Sequence, residues 1–542
     1  MTDYFRQNRW TLALLVANLV LVWALPLIPA QDLPQHLTYI RIFADYGNPD
    51  LLFKDFYTLP TGFQPYDTVY LLLAVIARYS SVMFALRLAL TAYVILMFVG
   101  FDIIAAACHG REHKGSLLPS TVLASMTIWG SAFAMGFLQY FLAIPLVLIT
   151  AGWMVRGCDE KEPDWVGWAV VPAAIAVASM HLVAAGALAV FATLYVLLSL
   201  RDPGSPRRLE VACRVIGMLG LTLIAWHFLG GEVLGAKPRA AQFDDAWRNA
   251  QGFEFVNTLL QTTWYDPPVT FNYLSWAVLG PYRIMGLGVA ALAVAVCLWF
   301  VVPVYEAGLA PGSGELRLQG RQYARAAWGF ALFSVLLPWG INVPSEVTYL
   351  NFRVISLAFA LLMPLVPPRW FSIPNARRAL NWVATAYLLN FTVHAVGFNY
   401  EARAPIHLLS RVPTREVVLS LVFRSRSSYF AKGFRLTHFL PMYFTVLDGG
   451  VCSQFWAKYT EHLPIDYRPG KRIAQPDDWS PQNFDETKHL HDSDWVLFQR
   501  ATADDPKGGQ NDAIRAEQKL NQRADVVECD GGWCLYKVRT HT

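Results

Sequence analysis

The chain has 542 residues, of which 55% are hydrophobic and 15% charged, with a formal net charge of +4. Soluble globular chains carry roughly 25% charged residues, and the apolar excess here sits in long blocks, which excludes an ordinary soluble domain and points to a polytopic membrane protein. The small net charge, with Lys and Arg gathered between apolar runs, reports membrane topology rather than a nucleic-acid partner, and no zinc-finger spacing, P-loop or dinucleotide fingerprint occurs in a suitable context.

The N-terminal segment joins a basic decapeptide, MTDYFRQNRW, to the apolar run TLALLVANLVLVWALPLI. The apolar core of a secretory signal is about 7–15 residues long. This run is longer, so a retained anchor is expected, with cleavage after Ala30 as the alternative. Either reading places residue 31 onward across the membrane.

The segment 30–66 follows as a first external loop. Asp32 and His36 lie four residues apart, and a short helix starting near Leu33 is expected because Pro34 is tolerated in a first turn. That helix puts Asp32 and His36 on one face, about 5–6 Å apart at Cβ. Asp32 is then either the helix N-cap or a catalytic carboxylate at the membrane surface. Tyr39 and Asp45 lie in the same loop, among aromatic residues that also suit an interfacial belt.

Further apolar runs are read at about 82–107, 117–133, 136–155, 165–179, 181–200, 210–230, 272–303, 323–341, 350–367 and 378–398. The basic segments 111–114, 201–214, 317–325 and 367–378 are expected on the cytoplasmic side. The run 68–81 is short and carries Arg78, and is read as an interfacial or re-entrant helix. This gives about eleven transmembrane helices, with the N-terminus inside and the C-terminus outside.

Three positions in or near the spans carry possible chemistry. Arg353 and Arg87 suit bidentate recognition of phosphate, with snorkelling to the headgroups as the alternative. His181 lies near the external end of a helical pair, where a satisfied buried histidine is the plainer reading. The second external loop, 231–270, holds Trp264, Tyr265 and Asp266, which suit sugar stacking and hydrogen bonding but also a simple surface loop.

From about 400 the chain turns polar. Strand-like pieces at 416–423, 442–448, 494–500, 524–529 and 534–538 suggest a small external α/β domain. In VVECDGGWCLYKV, Gly531-Gly532 reads as a two-residue hairpin turn. That register sets Cys529 opposite Cys534, within disulfide range.

A cytoplasmic start, one span and a large external loop with an early acid form a recognisable order, followed by more spans, a second loop and an external C-terminal domain. With PLIPAQDLPQHL at the first loop and SSVMFALRLALTAYVILMFVGF behind it, the chain resembles the GT-C superfamily of membrane glycosyltransferases. The architecture is that of its protein mannosyltransferase and aminoarabinose transferase-like members. The resemblance divides the chain into a transmembrane module over 1–230, a second loop with further spans over 231–399, and the α/β domain over 400–542.

The resemblance implies inverting transfer of a sugar from a polyprenyl-phosphate donor to a glycan, lipid or protein acceptor. The setting would be the periplasmic face of an inner membrane. Asp32 would be the general base. His36, Arg353, Arg87, Tyr39, Asp45, His181, Trp264, Tyr265 and Asp266 would contact substrate. No cofactor is expected, and no nucleic acid. The paired acids common in the superfamily are missing, since Asp32 is followed at four by His36, which leaves a divalent metal possible. A glycan-lipid transporter is one alternative, although ionisable residues gather at one face rather than at the bilayer midplane. A non-catalytic assembly protein of the same fold is the other.

Overall fold

The computed structural model describes residues 2–59, 67–110, 119–159, 162–199, 206–230, 318–337, 350–366, 373–430, 434–458, 465–476, 480–500 and 507–539. The loop 231–270, with Trp264, Tyr265 and Asp266, and the run 272–303 lie outside these residues.

The described part is mostly helical. The main helices are α1 (Thr2–Ala24), α2 (Leu33–Asp45), α3 (Asp67–Arg78), α4 (Val82–His109), α5 (Leu138–Gly157), α6 (Asp164–Met180), α7 (Leu182–Ser199), α8 (Pro206–Gly230), α9 (Leu318–Val335), α10 (Leu350–Leu362), α11 (Pro374–Leu409) and α12 (Lys507–Leu520). Among the described residues, α4 and α5 are both long and apolar enough to cross a membrane, and shorter apolar helical segments accompany them.

Local chemistry sets several boundaries. The Ser81 hydroxyl accepts from Phe84 N at the start of α4, while Gly110 ends it at φ +79. Asn18 of α1 is fully buried, donates to the Ser125 hydroxyl at 3.0 Å and accepts from Trp129 Nε1 at 2.6 Å. The first helix is therefore tied into the helical body by polar side chains. As the sequence suggests, α3 is short; its Val69, Tyr70, Leu73 and Ala77 point inward, while Leu72 and Val75 face outward. This one-sided burial suits a helix lying along an interface.

Two expectations are corrected. The run 117–133 is not one continuous helix. It forms a 3-10 segment, Pro119–Ala124, and two short helices, Ser125–Ile128 and Ser131–Met135. Gly130 is extended and Gly136 takes φ +81, so helix cannot propagate through either, and Thr127 bonds back to the Ala124 carbonyl. The piece 442–448 is not a strand. Pro441 lies in a 3-10 turn, Leu440–Met442, and Phe444–Asp448 form a π turn closed by Gly449 at φ +78. Pro441 lacks the N–H that a sheet ladder needs.

The C-terminal part holds a five-stranded mixed sheet in the order β3-β2-β5-β7-β6, built from β2 (Val417–Leu421), β3 (Val451–Cys452), β5 (Trp495–Gln499), β6 (Ala524–Asp530) and β7 (Trp533–Val538). Side chains alternate across it. Leu419, Leu421, Val496 and Phe498 pack with Ala513, Ala516 and Leu520 of α12. Val418 and Leu497 pack with Ala404, Leu408 and Leu409 at the end of α11. The sheet is thus held between two helices. Cys529 pairs opposite Cys534 and the two form a disulfide, with Gly531 and Gly532 at positive φ in the turn. A second, two-stranded antiparallel sheet joins β1 (Tyr57–Thr58) in the first loop to β4 (Asp466–Tyr467).

Candidate active site

Asp32 holds the N-cap position of α2, with φ −89° and ψ −4°, yet its side chain makes no capping bond. Its Oδ1 instead accepts from Gln31 Nε2 at 3.1 Å. The carboxylate is therefore turned away from the role that most acids at this position perform. It is also buried, at 7% exposure.

The backbone around it is fixed by the short helices before α5. Gln31 N donates to the Ala134 carbonyl at 2.8 Å and Asp32 N to the Met135 carbonyl at 3.0 Å. Gly136 follows at φ +81, and a Cβ there would lie 2.6 Å from Asp32 N and 2.7 Å from Leu33 N. Only glycine meets both demands. Gly136→Ala is expected to lower Tm, because a Cβ there collides with the Asp32–Leu33 backbone and the left-handed φ strains any L side chain. A thermal melt checks this.

The C-terminal part clasps the same loop. Gln31 Oε1 accepts from Arg435 N at 2.7 Å. Gln35 Nε2 donates to the Gln454 carbonyl at 2.7 Å, and its Oε1 accepts from Trp456 N at 3.1 Å. His36 sits one turn beyond Asp32. Its Nδ1 meets Tyr70 Oη of α3 at 2.6 Å, and Trp456 packs edge-on to its ring.

Arg353 enters from α10. Its guanidinium lies over the Phe137 ring at 3.9 Å, and the Tyr140 hydroxyl donates to its carbonyl at 2.5 Å. His181 breaks the chain between α6 and α7 in an extended conformation. Its Nδ1 lies 3.1 Å from Val183 N, and its Nε2 lies 3.3 Å from Arg353 Nη1. The imidazole and the guanidinium are thus in direct contact, and the histidine helps to fix where the guanidinium stands.

Asp32, His36, His181 and Arg353 form one electrostatic cluster, although the sequence scatters them over more than 300 positions. Burial pushes the Asp32 carboxyl up to about 7, against the opposing pull of the Gln31 hydrogen bond and the Arg353 charge. Burial, with Arg353 adding to it, lowers His36 to about 3, so its imidazole is neutral at neutral pH.

The other candidates stand elsewhere. Arg87 Nη2 donates to the Leu25 carbonyl at 3.1 Å, at the end of the first helix. Asp45 pairs with Arg41 at 3.0 Å, one turn back on α2. Tyr39 is buried in an aromatic group with Tyr70 and Phe455. Gln31, Gln35, Tyr70, Gly136 and Phe137 touch the cluster without having been singled out by sequence. Their only signal is the repeat of Gln around Asp32 and a Gly at the start of an apolar run. Among the described residues, no three His, Cys, Asp or Glu side chains converge as a metal site.

No family model and no curated protein matches this chain. Solved structures do match it along its length. ArnT from Cupriavidus metallidurans bound to undecaprenyl phosphate aligns over 98% of this chain and 98% of its own, with TM-score 0.56 and 13% identity. The apo state of the same protein aligns over 97% of each chain, with TM-score 0.54 and 12% identity. The chain therefore has an ArnT-like fold.

Proposed function

We propose that this chain is an integral-membrane glycosyltransferase that moves a sugar from a polyprenyl-phosphate-linked donor to an acceptor hydroxyl with inversion. The observation that carries this reading is the buried Asp32 carboxylate, excused from helix capping and set beside Arg353. The likeness of the fold to a protein solved with undecaprenyl phosphate supports the donor class.

Asp32 takes the proton of the acceptor hydroxyl as that oxygen bonds to the anomeric carbon. The bond from that carbon to the phosphate oxygen breaks, and polyprenyl phosphate departs with the electron pair. A base with pKa near 7 is well placed for this, being partly ionised at neutral pH and strong enough to draw the proton. Arg353, held against His181, receives the charge growing on the phosphate. Neutral His36, held by Tyr70, contacts donor or acceptor without adding charge. Every step uses this chain's own side chains, so EDTA is expected to leave the rate unchanged; loss of transfer restored by Mg²⁺ or Mn²⁺ would contradict this.

The reading places the chain in an inner membrane, with its N-terminus cytoplasmic and its sheet-bearing C-terminal part in the periplasm. The test is transfer by the purified chain in nanodiscs, with a panel of polyprenyl-phosphate sugars and acceptors from membrane extract. Release of polyprenyl phosphate coupled to a glycosylated product supports the proposal. Donor binding without transfer would mark the chain as a non-catalytic assembly protein.

A further inference from the structure

Away from the site, the buried cation Arg208 has no acid beside it among the described residues. The first turn of α8 carries Arg207 and Arg208 and no acidic residue. Neighbouring arginines are paired: Arg156 with Glu162 at 3.0 Å, Arg207 with Asp164 at 3.0 Å, and Arg214 with Glu210. Arg208 is the most buried of them, at 6% exposure, and pairs with no carboxylate among the described residues. Its Nε and Nη1 have no hydrogen-bond partner there either.

The surroundings of Arg208 are polar as well as apolar. Arg208 lies within electrostatic reach of the Cys158 thiol, just past the end of α5, and of the Tyr195 hydroxyl on α7. On α6, Trp165 and Trp168 are 64% and 57% exposed, and the Arg214 guanidinium lies 3.9 Å over the Trp168 ring. Exposed Trp beside Arg marks headgroup depth in a membrane protein.

A guanidinium does not shed its proton. Burying it without a counter-ion is unfavourable, and an anion arriving from outside the chain would offset that. The positive end of the α8 dipole favours the same charge. The flat fork of Arg matches a phosphate, held through two parallel hydrogen bonds.

We propose that Arg208 and the first turn of α8 bind a phosphate anion at the membrane surface, supplied by the headgroup of an acidic phospholipid. The site is separate from the Asp32 cluster and does not depend on the glycosyltransferase reading.

The full chain would be melted in nanodiscs of phosphatidylcholine alone and of phosphatidylcholine with phosphatidylglycerol. A detergent arm would carry inorganic phosphate. Wild type is expected to gain about 3–5 °C from phosphatidylglycerol. Arg208→Gln should lose that gain and, in phosphatidylcholine, melt at or above wild type, because the uncompensated charge has gone. A purely internal structural role would instead lower its Tm in every lipid. An equal gain from inorganic phosphate would keep the site and make free phosphate its ligand. Identical wild-type melts in all three arms, or a gain retained by Arg208→Gln, would overturn the proposal. Should the variant not fold, hydrogen exchange on wild type decides. Phosphatidylglycerol must slow the amides of the first turn of α8, and unchanged exchange overturns it.

Discussion

Replacing Asp32 with Asn is expected to abolish transfer and, above neutral pH, to make the protein harder to unfold. Removal of a general base costs about 10²–10⁴-fold in rate, so product formation should fall by roughly 10³ while donor binding persists. The stability effect has the opposite sign. The Asp32 carboxyl titrates at about 7 in the folded chain against an ordinary 3.8, so the folded state holds this proton more tightly than the unfolded state. Its contribution is most favourable below pH 3.8, declines through the interval, and reaches its full cost above 7. That cost is about 4 kcal/mol. Asn carries no such penalty. Tm of Asp32→Asn should therefore match wild type at acidic pH and exceed it at pH 8. In wild type, kcat/KM should rise with pH around a midpoint near 7. A flat profile, or a variant that still transfers, would remove Asp32 from the role.

Arg353→Met is expected to produce the second-largest loss. Removing one preorganised donor from a developing anion costs about 10²–10³ in kcat. The variant carries a second signature that a packing defect would not produce. Arg353 holds the Asp32 carboxyl down against its burial, so without the guanidinium the acidic limb of the pH–rate profile should move to higher pH. Arg353→Lys keeps the charge but not the planar fork, and should restore the limb more fully than the rate. A Met variant whose limb does not move would separate Arg353 from the base, whatever its activity.

The sequence made half of this arrangement legible. The spacing of Asp32 and His36, with Pro34 between them, foretold α2 from Leu33, and the Gly-Gly turn foretold the pairing of Cys529 with Cys534. Those are local facts, written within a few residues. The convergence of His181 and Arg353 on Asp32 is not local. Each lies near a helix end, and only the packing of α6, α7 and α10 around the first loop brings them together. Gly136 was hidden for another reason. It stood at the start of the apolar run 136–155, read as one span, yet its left-handed backbone separates the preceding short helix from α5 and lets Asp32 approach. The piece 442–448 misled because its apolar residues are nearly all buried, and a short apolar run does not distinguish a strand from a tight helical turn.

The clasp made by Gln31 and Gln35 has a consequence for how the protein comes into being. The loop bearing Asp32 is among the first parts of the chain to be synthesised, but Gln454, which anchors Gln35, follows it by 419 residues. At about 5–20 residues per second this is a delay of roughly 20 to 80 s. Until Arg435 and Trp456 have been made, the nascent loop lacks the contacts that hold Gln31 and Gln35 in place. The arrangement around Asp32 is thus complete only near the end of translation, when the C-terminal part closes over a loop made at the beginning.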